Sequence, residues 1–138
     1  MEITLKNRPE EKRRLLAALE SFVGTHQLPK AVFQAADLVL EEHLTNVMSY
    51  AYDDRQEHEI RVRLEAGDSQ LVIEVEDDGR AFDPTQVPEV DTSLPLDQRP
   101  IGGLGIHLIR RCMDEARYLR RANRNVLRLI KRLPAAAP

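Results

Sequence analysis

Apolar positions along the chain repeat with two different periods, and the changes of period mark out the elements. Ile3 and Leu5 alternate with polar neighbours and predict a short opening strand. Leu15, Leu16, Leu19, Phe22 and Val23 then recur at helical spacing, so residues 9–24 read as an amphipathic helix. Pro9 suits a first helical turn, and Glu10 and Glu11 suit the positive end of a helix dipole. Gly24-Thr25 and Leu28-Pro29 punctuate the pattern. A second helix is expected over residues 29–52. Its broad apolar set (Val32, Phe33, Ala36, Val39, Leu40, Leu44, Val47) is that of a helix buried on much of its circumference.

The period then drops to two. Ile60, Val62, Leu64 and Ala66 alternate with charged residues, Gly67-Asp68 turns the chain, and Leu71, Ile73 and Val75 alternate again up to Asp77. This predicts an antiparallel hairpin over 58–66 and 71–77 with one buried face. Residues 79–103 hold four prolines and no period, the mark of a long functional loop. Ile106, Leu108, Ile109 and Met113 predict a short helix from residue 105. Two last strands are expected at 116–121 and 126–133, turned at 122–125, with residues 134–138 as a flexible tail. Helices in a run beside a mostly antiparallel sheet point to an α+β two-layer sandwich. The expectation is one domain over 1–133, with a mixed, mostly antiparallel sheet and helices packed on one face.

Composition narrows the function classes. No apolar run approaches the ~20 residues of a membrane helix, so no bilayer span is expected. The lone cysteine, Cys112, excludes an internal disulfide framework. With no signal-peptide layout at the first residues, the expected compartment is the cytoplasm. There is no Trp, and three Tyr and three Phe leave few platforms for stacking bases. Charge is segregated: the stretch 110–132 carries +7 and the rest −10. A basic stripe of this kind points first to nucleic acid or an acidic partner, and otherwise to solvated strand faces. No nucleic-acid motif accompanies it, so direct nucleic-acid binding is not expected.

Three short motifs remain. Glu42 and Asn46 lie four apart on the second helix and so project from one face. Alone, such a pair is common on solvent faces. Asp77-Asp78-Gly79 ends a strand with an acid and a flexible turn. Alone, it is an ordinary Asp-Gly turn. Gly102-Gly103-Leu104-Gly105 opens a helix, where backbone N–H groups can meet phosphate. It is neither a P-loop, lacking Lys-Ser or Lys-Thr, nor a Rossmann fingerprint, lacking the leading strand.

Taken in order, the three resemble the GHKL, or Bergerat-fold, ATP-binding superfamily. The size and the string Gly102-Gly103-Leu104-Gly105-Ile106-His107-Leu108-Ile109 are similar to bacterial anti-sigma-factor serine/threonine kinases. The resemblance covers about residues 3–133. It implies ATP and Mg²⁺, with Asn46 as the metal ligand and Glu42 as general base toward a Ser or Thr hydroxyl. It implies that Asp77 meets the adenine amine, with Gly79 and Ala81 beside the base. It further implies that Gly103, Leu104, Gly105 and Ile106 hold phosphates and that residues 84–101 form an ATP lid. Sigma factor and anti-sigma antagonist are the implied partners, and a homodimer the implied assembly. A non-catalytic, ATP-dependent protein-binding module is the alternative. The chain departs from the pattern at Ala81, where a second Gly is usual. It departs also at Ser49 and Tyr50, where a basic residue or His is common. Asn125-Val126 stands where Gly-Thr often precedes the last strand.

Overall fold

Five strands form one antiparallel sheet in the computed structural model, which describes residues 1–86 and 103–134. The strands are β1 (Glu2–Lys6), β2 (Glu59–Ala66), β3 (Gln70–Asp77), β4 (Glu115–Arg121) and β5 (Arg124–Arg132), in the spatial order β1-β2-β3-β5-β4. Every strand pair is antiparallel, so the sheet is not mixed. The described residues also form three α-helices, α1 (Lys12–His26), α2 (Lys30–Tyr50) and α3 (Gly103–Cys112), and short 3₁₀ turns at Pro9–Glu11 and Pro84–Gln86.

The alternation in β2 and β3 aims Ile60, Val62, Leu64, Leu71, Ile73 and Val75 at the helices, all essentially buried. Leu15, Leu19 and Phe22 of α1 and Val32, Ala36, Val39, Leu40 and Leu44 of α2 close over them. Burying each large side chain contributes about 1.5–3 kcal/mol before chain entropy is subtracted. The expected two layers are therefore present, with one core between sheet and helices.

Element ends differ from the sequence expectation in instructive places. Pro9–Glu11 is a single 3₁₀ turn, and the first α-helix begins at Lys12. That helix runs through Gly24 to His26. It ends at Gln27, which takes the left-handed conformation with φ 53°. Gln27 N–H donates to the Gly24 carbonyl and Leu28 N–H to the Val23 carbonyl, a Schellman closure. A glycine inside a helix costs about 1 kcal/mol relative to Ala, too little to stop a helix that still has Phe22 to bury. The last hairpin turns more tightly than expected. Ala122 and Asn123 both have positive φ (52° and 62°), as a two-residue type I′ turn requires. Arg124 and Asn125 thereby join β5. The third helix starts at Gly103 and ends at Cys112, leaving Met113 outside it. Residues 87–101 of the expected lid lie outside the described residues, as do Gly102 and tail residues 135–138.

No helix among the described residues is long and apolar enough to cross a membrane. The basic stripe is spread over α3, β4 and β5. Part of it is neutralised locally, Arg117 by Glu115 and Arg124 by Glu76.

Candidate functional site

The inner face of the sheet changes chemistry at one end. Along β3 the inward row reads Leu71, Ile73, Val75 and then Asp77, a residue only 3% exposed. Directly opposite Asp77 in the register stands Asn125 of β5, and opposite Asn125 stands Arg120 of β4. One cross-strand row thus carries three polar side chains. Across from them the last turns of α2 present His43, Asn46, Val47 and Tyr50, spaced so that they share a helix face. Between the two lies a cleft of about 280 Å³. Ala51, Arg80, Ala81, Phe82, Pro84, Tyr118 and Leu127 complete its walls.

Hydrogen bonds fix the Asp77 end. Asp77 Oδ1 accepts from the Gly79 N–H and from Asn125 Nδ2, both at 2.9 Å. Asn125 Nδ2 also donates to the Arg80 carbonyl at 2.8 Å. Asn125 Oδ1 accepts from Arg120 Nη1 at 2.9 Å and from the Tyr118 hydroxyl. Arg120 Nη1 donates as well to the Gly79 carbonyl at 3.0 Å. Burial pushes the Asp77 carboxyl above the usual carboxylate range, while the Asn125 and Gly79 donors pull it back. Gly79 sits against Ala51, and the Arg80 N–H donates to the Ala51 carbonyl at 3.0 Å. The strand-end turn is thereby pinned to the end of α2.

The sequence candidates are placed unevenly. Asn46, Asp77 and Ala81 line the cleft, and Gly79 is buried in the turn behind it. Glu42 lies one helical turn before Asn46, half-buried, and is not among the cleft-lining residues. Gly103, Leu104, Gly105 and Ile106 form the first turn of α3. The two rival acids are engaged elsewhere. Glu41 accepts from Lys12 Nζ at 2.9 Å, and Asp78 faces His58 Nδ1 at 3.2 Å.

Several residues of the cleft carried no role in the sequence reading. His43 is buried, and burial pushes its imidazole down to about 4, so it is neutral at physiological pH. Tyr50, Phe82 and Tyr118 supply aromatic wall. Asn125 stood out in the sequence only as a departure from a family pattern; its partnership with Asp77 is a matter of long-range register. Behind the turn, His58 is held between Asp54 (2.8 Å) and Asp78 and stacks on Tyr52 with ring centroids 4.1 Å apart.

The donor set can be compared with what a divalent ion needs. Among the described residues no group of three His, Cys, Asp or Glu could cage a metal. Mg²⁺ held mostly by phosphates and water needs only one or two protein oxygens. The Asn46 carboxamide in the cleft wall fits that need.

Residues 5–131 match the histidine kinase-like ATPase domain. The chain belongs to that family. Over 92 residues it is 32% identical to the serine/threonine-protein kinase BtrW of Bordetella bronchiseptica, covering 67% of this chain and 65% of that protein. Over 84 residues it is 32% identical to the serine-protein kinase RsbW of Bacillus velezensis, covering 58% of this chain and 52% of that protein. The matched stretch thus spans less than two thirds of either relative. The fold also matches a crystal structure of the RsbU and RsbW domains of Rv1364c from Mycobacterium tuberculosis. There the TM-score is 0.67 and the identity 18%, with all of this chain and 34% of that one covered. The α+β architecture read from the sequence is the architecture of this domain.

Proposed function

We propose that this histidine kinase-like ATPase domain binds Mg²⁺–ATP in the cleft between α2 and the β3–β5 strand ends and phosphorylates a protein on Ser or Thr. The observation that carries the reading is the buried Asp77 carboxylate at the cleft wall. One of its oxygens is saturated by Gly79 and Asn125, and the other has no donor among the described residues. An acceptor of this kind suits the exocyclic amine of adenine. The apolar walls suit the ring faces, and in this reading the triphosphate lies at the α3 glycines. Asn46 would hold the Mg²⁺, which would supply neutralisation of the phosphate charge.

In this reading Glu42 takes the proton from the substrate hydroxyl. The oxygen forms its bond to the γ-phosphorus as the bond to the β-phosphate oxygen breaks, and ADP leaves. The names of the related kinases support the transfer. The sequence resemblance extends it to a small anti-sigma-factor antagonist as substrate, a sigma factor as the sequestered partner, and a homodimer as the working form.

One observation favours a second reading, an ATP-dependent binding module without transfer: Glu42 is not among the residues that line the cleft. The deciding experiment incubates the chain with γ-labelled ATP, Mg²⁺ and a small anti-sigma-factor antagonist protein from the same source. Label on a Ser or Thr of that protein supports the kinase reading. ATP-dependent complex formation with no label supports the module.

A further inference from the structure

We propose that Asn125 is a positioning residue that holds Asp77 as an oriented acceptor and thereby sets the base selectivity of the cleft. The inference rests on the nucleotide reading above and names a residue which that reading does not use.

The geometry leaves Asn125 no free valence for a ligand. Both donor positions of its amide are taken, one by Asp77 Oδ1 and one by the Arg80 carbonyl. Its oxygen accepts from Arg120 Nη1, from the Tyr118 hydroxyl and, at 3.4 Å, from the Phe82 N–H. A buried amide so fully satisfied cannot read a base itself. What it does is decide which way Asp77 faces. With Oδ1 tied to Gly79 and Asn125, the rotation of the carboxyl group is fixed and Oδ2 is the oxygen left for the cleft.

Asn125 also works on the charge of Asp77. The carboxyl is buried, which favours its neutral form, and a protonated carboxyl would present a donor where the adenine amine also donates. The Asn125 amide and the Gly79 N–H stabilise the charged form. The other ionisable groups around it are Arg120 and Tyr118 on β4, Arg80 and Asp78 in the turn, His43 and Tyr50 on α2, Tyr52 beyond α2, and His58 behind Asp78. His43 is already neutral above about pH 4, whereas His58, raised by its bonds to Asp54 and Asp78, changes state inside the neutral window in every protein compared, so the difference between variant and unaltered chain is what reports on Asn125. The Arg120 guanidinium is held by Asn125 and by the Gly79 and Asn123 carbonyls, so loss of the amide removes its own donor and one of the anchors of that cation.

The test measures ATP and inosine triphosphate binding by Asn125→Ala and by the unaltered chain across about pH 6 to 8.5, a span in which one linked proton changes affinity about tenfold per unit. Inosine triphosphate replaces the 6-amino group with an oxygen. The unaltered chain is expected to prefer ATP over the whole span, and its own profile is the reference for each variant. Asn125→Ala is expected to lose about tenfold in ATP affinity at the acid end, to recover toward the alkaline end, and to narrow its ATP preference. Asn125→Asp, close in shape, is the second variant. A proton shared between the two carboxylates can replace the amide donor, so its affinity is expected to fall toward alkaline pH instead. Equal loss at every pH with an unchanged ATP preference in both variants makes Asn125 a packing residue and overturns the inference. No ATP binding by the unaltered chain overturns the nucleotide reading itself.

Discussion

Gly79 approaches Ala51 so closely that no side chain fits between them. A Cβ on Gly79 would lie 2.5 Å from Ala51 Cβ, 2.8 Å from the Ala51 carbonyl oxygen and 3.0 Å from Asp77 Oδ1. Backbone and small side chain must then give way, since no flexible tip is available to move. Gly79→Ala is expected to destabilise the fold by about 1–3 kcal/mol, as overpacking does in other cores. It should also weaken nucleotide binding, because the displaced turn carries Asp77. Urea unfolding and an ATP titration of the same variant check both parts. Unchanged stability would mean that the contact is relieved without strain.

His43 makes stability depend on pH. Its folded-state value, about 4, lies below the unfolded value near 6.5. Between the two the unfolded chain binds the extra proton, so the fold loses stability as pH falls through that window. The loss reaches at most about 3 kcal/mol. His43→Leu removes it. The stability of the variant relative to the unaltered chain should therefore rise as pH falls from 7 to 4.5, in paired denaturation curves at about half-unit steps. A constant difference across the window would contradict the burial of the ring.

His58 has the opposite sign. Its hydrogen bond to Asp54, then that to Asp78, raises its value above the ordinary one. A raised histidine contributes stability that is complete below about pH 6.5 and fades as pH climbs through the folded-state value. His58→Gln should accordingly lower the melting temperature more at about pH 6 than at about pH 9. Because His58 buttresses Asp78, next to Asp77, the same variant should loosen ATP binding only modestly. An equal loss at both pH values would show the stacking on Tyr52 to matter more than the charge.

What could be read from the sequence was what depends on nearest neighbours. The alternation around Ile60–Leu64 and Leu71–Val75 fixes which face of β2 and β3 is buried, and the same period carries Asp77 to the inner face. The Glu42–Asn46 spacing likewise follows from helical geometry. Asn125 was opaque because its partners, Asp77, Arg80 and Arg120, meet it only through the β3–β5–β4 register. The end of the first helix was misplaced for a related reason. Gly24 weighs against a helix locally, but the chain has Phe22 to seat and a left-handed Gln27 to close on. The final turn is tighter than the sequence suggests because Ala122 is a poor residue for positive φ, and the pairing of β4 with β5 imposes it.

Glu42→Gln separates binding from transfer. The change keeps shape and removes the proposed base, so ATP affinity should stay within about threefold while transfer falls by about 10²–10⁴. Binding by fluorescence titration and labelling of the substrate protein read the two independently. Transfer at the normal rate would take Glu42 out of the chemistry.

The claim that organises the site is that the buried Asp77 carboxylate receives the amine of an adenine nucleotide. Asp77→Asn preserves size and burial but offers an amide in place of a full anion. Calorimetric titration of ATP into the unaltered chain and into Asp77→Asn tests it most directly, with circular dichroism to verify equal folding. The account predicts saturable binding by the unaltered chain and a loss of at least about tenfold in the variant, the scale of one charge-assisted hydrogen bond. Equal affinity in the two proteins, or no binding by the unaltered chain, would contradict it.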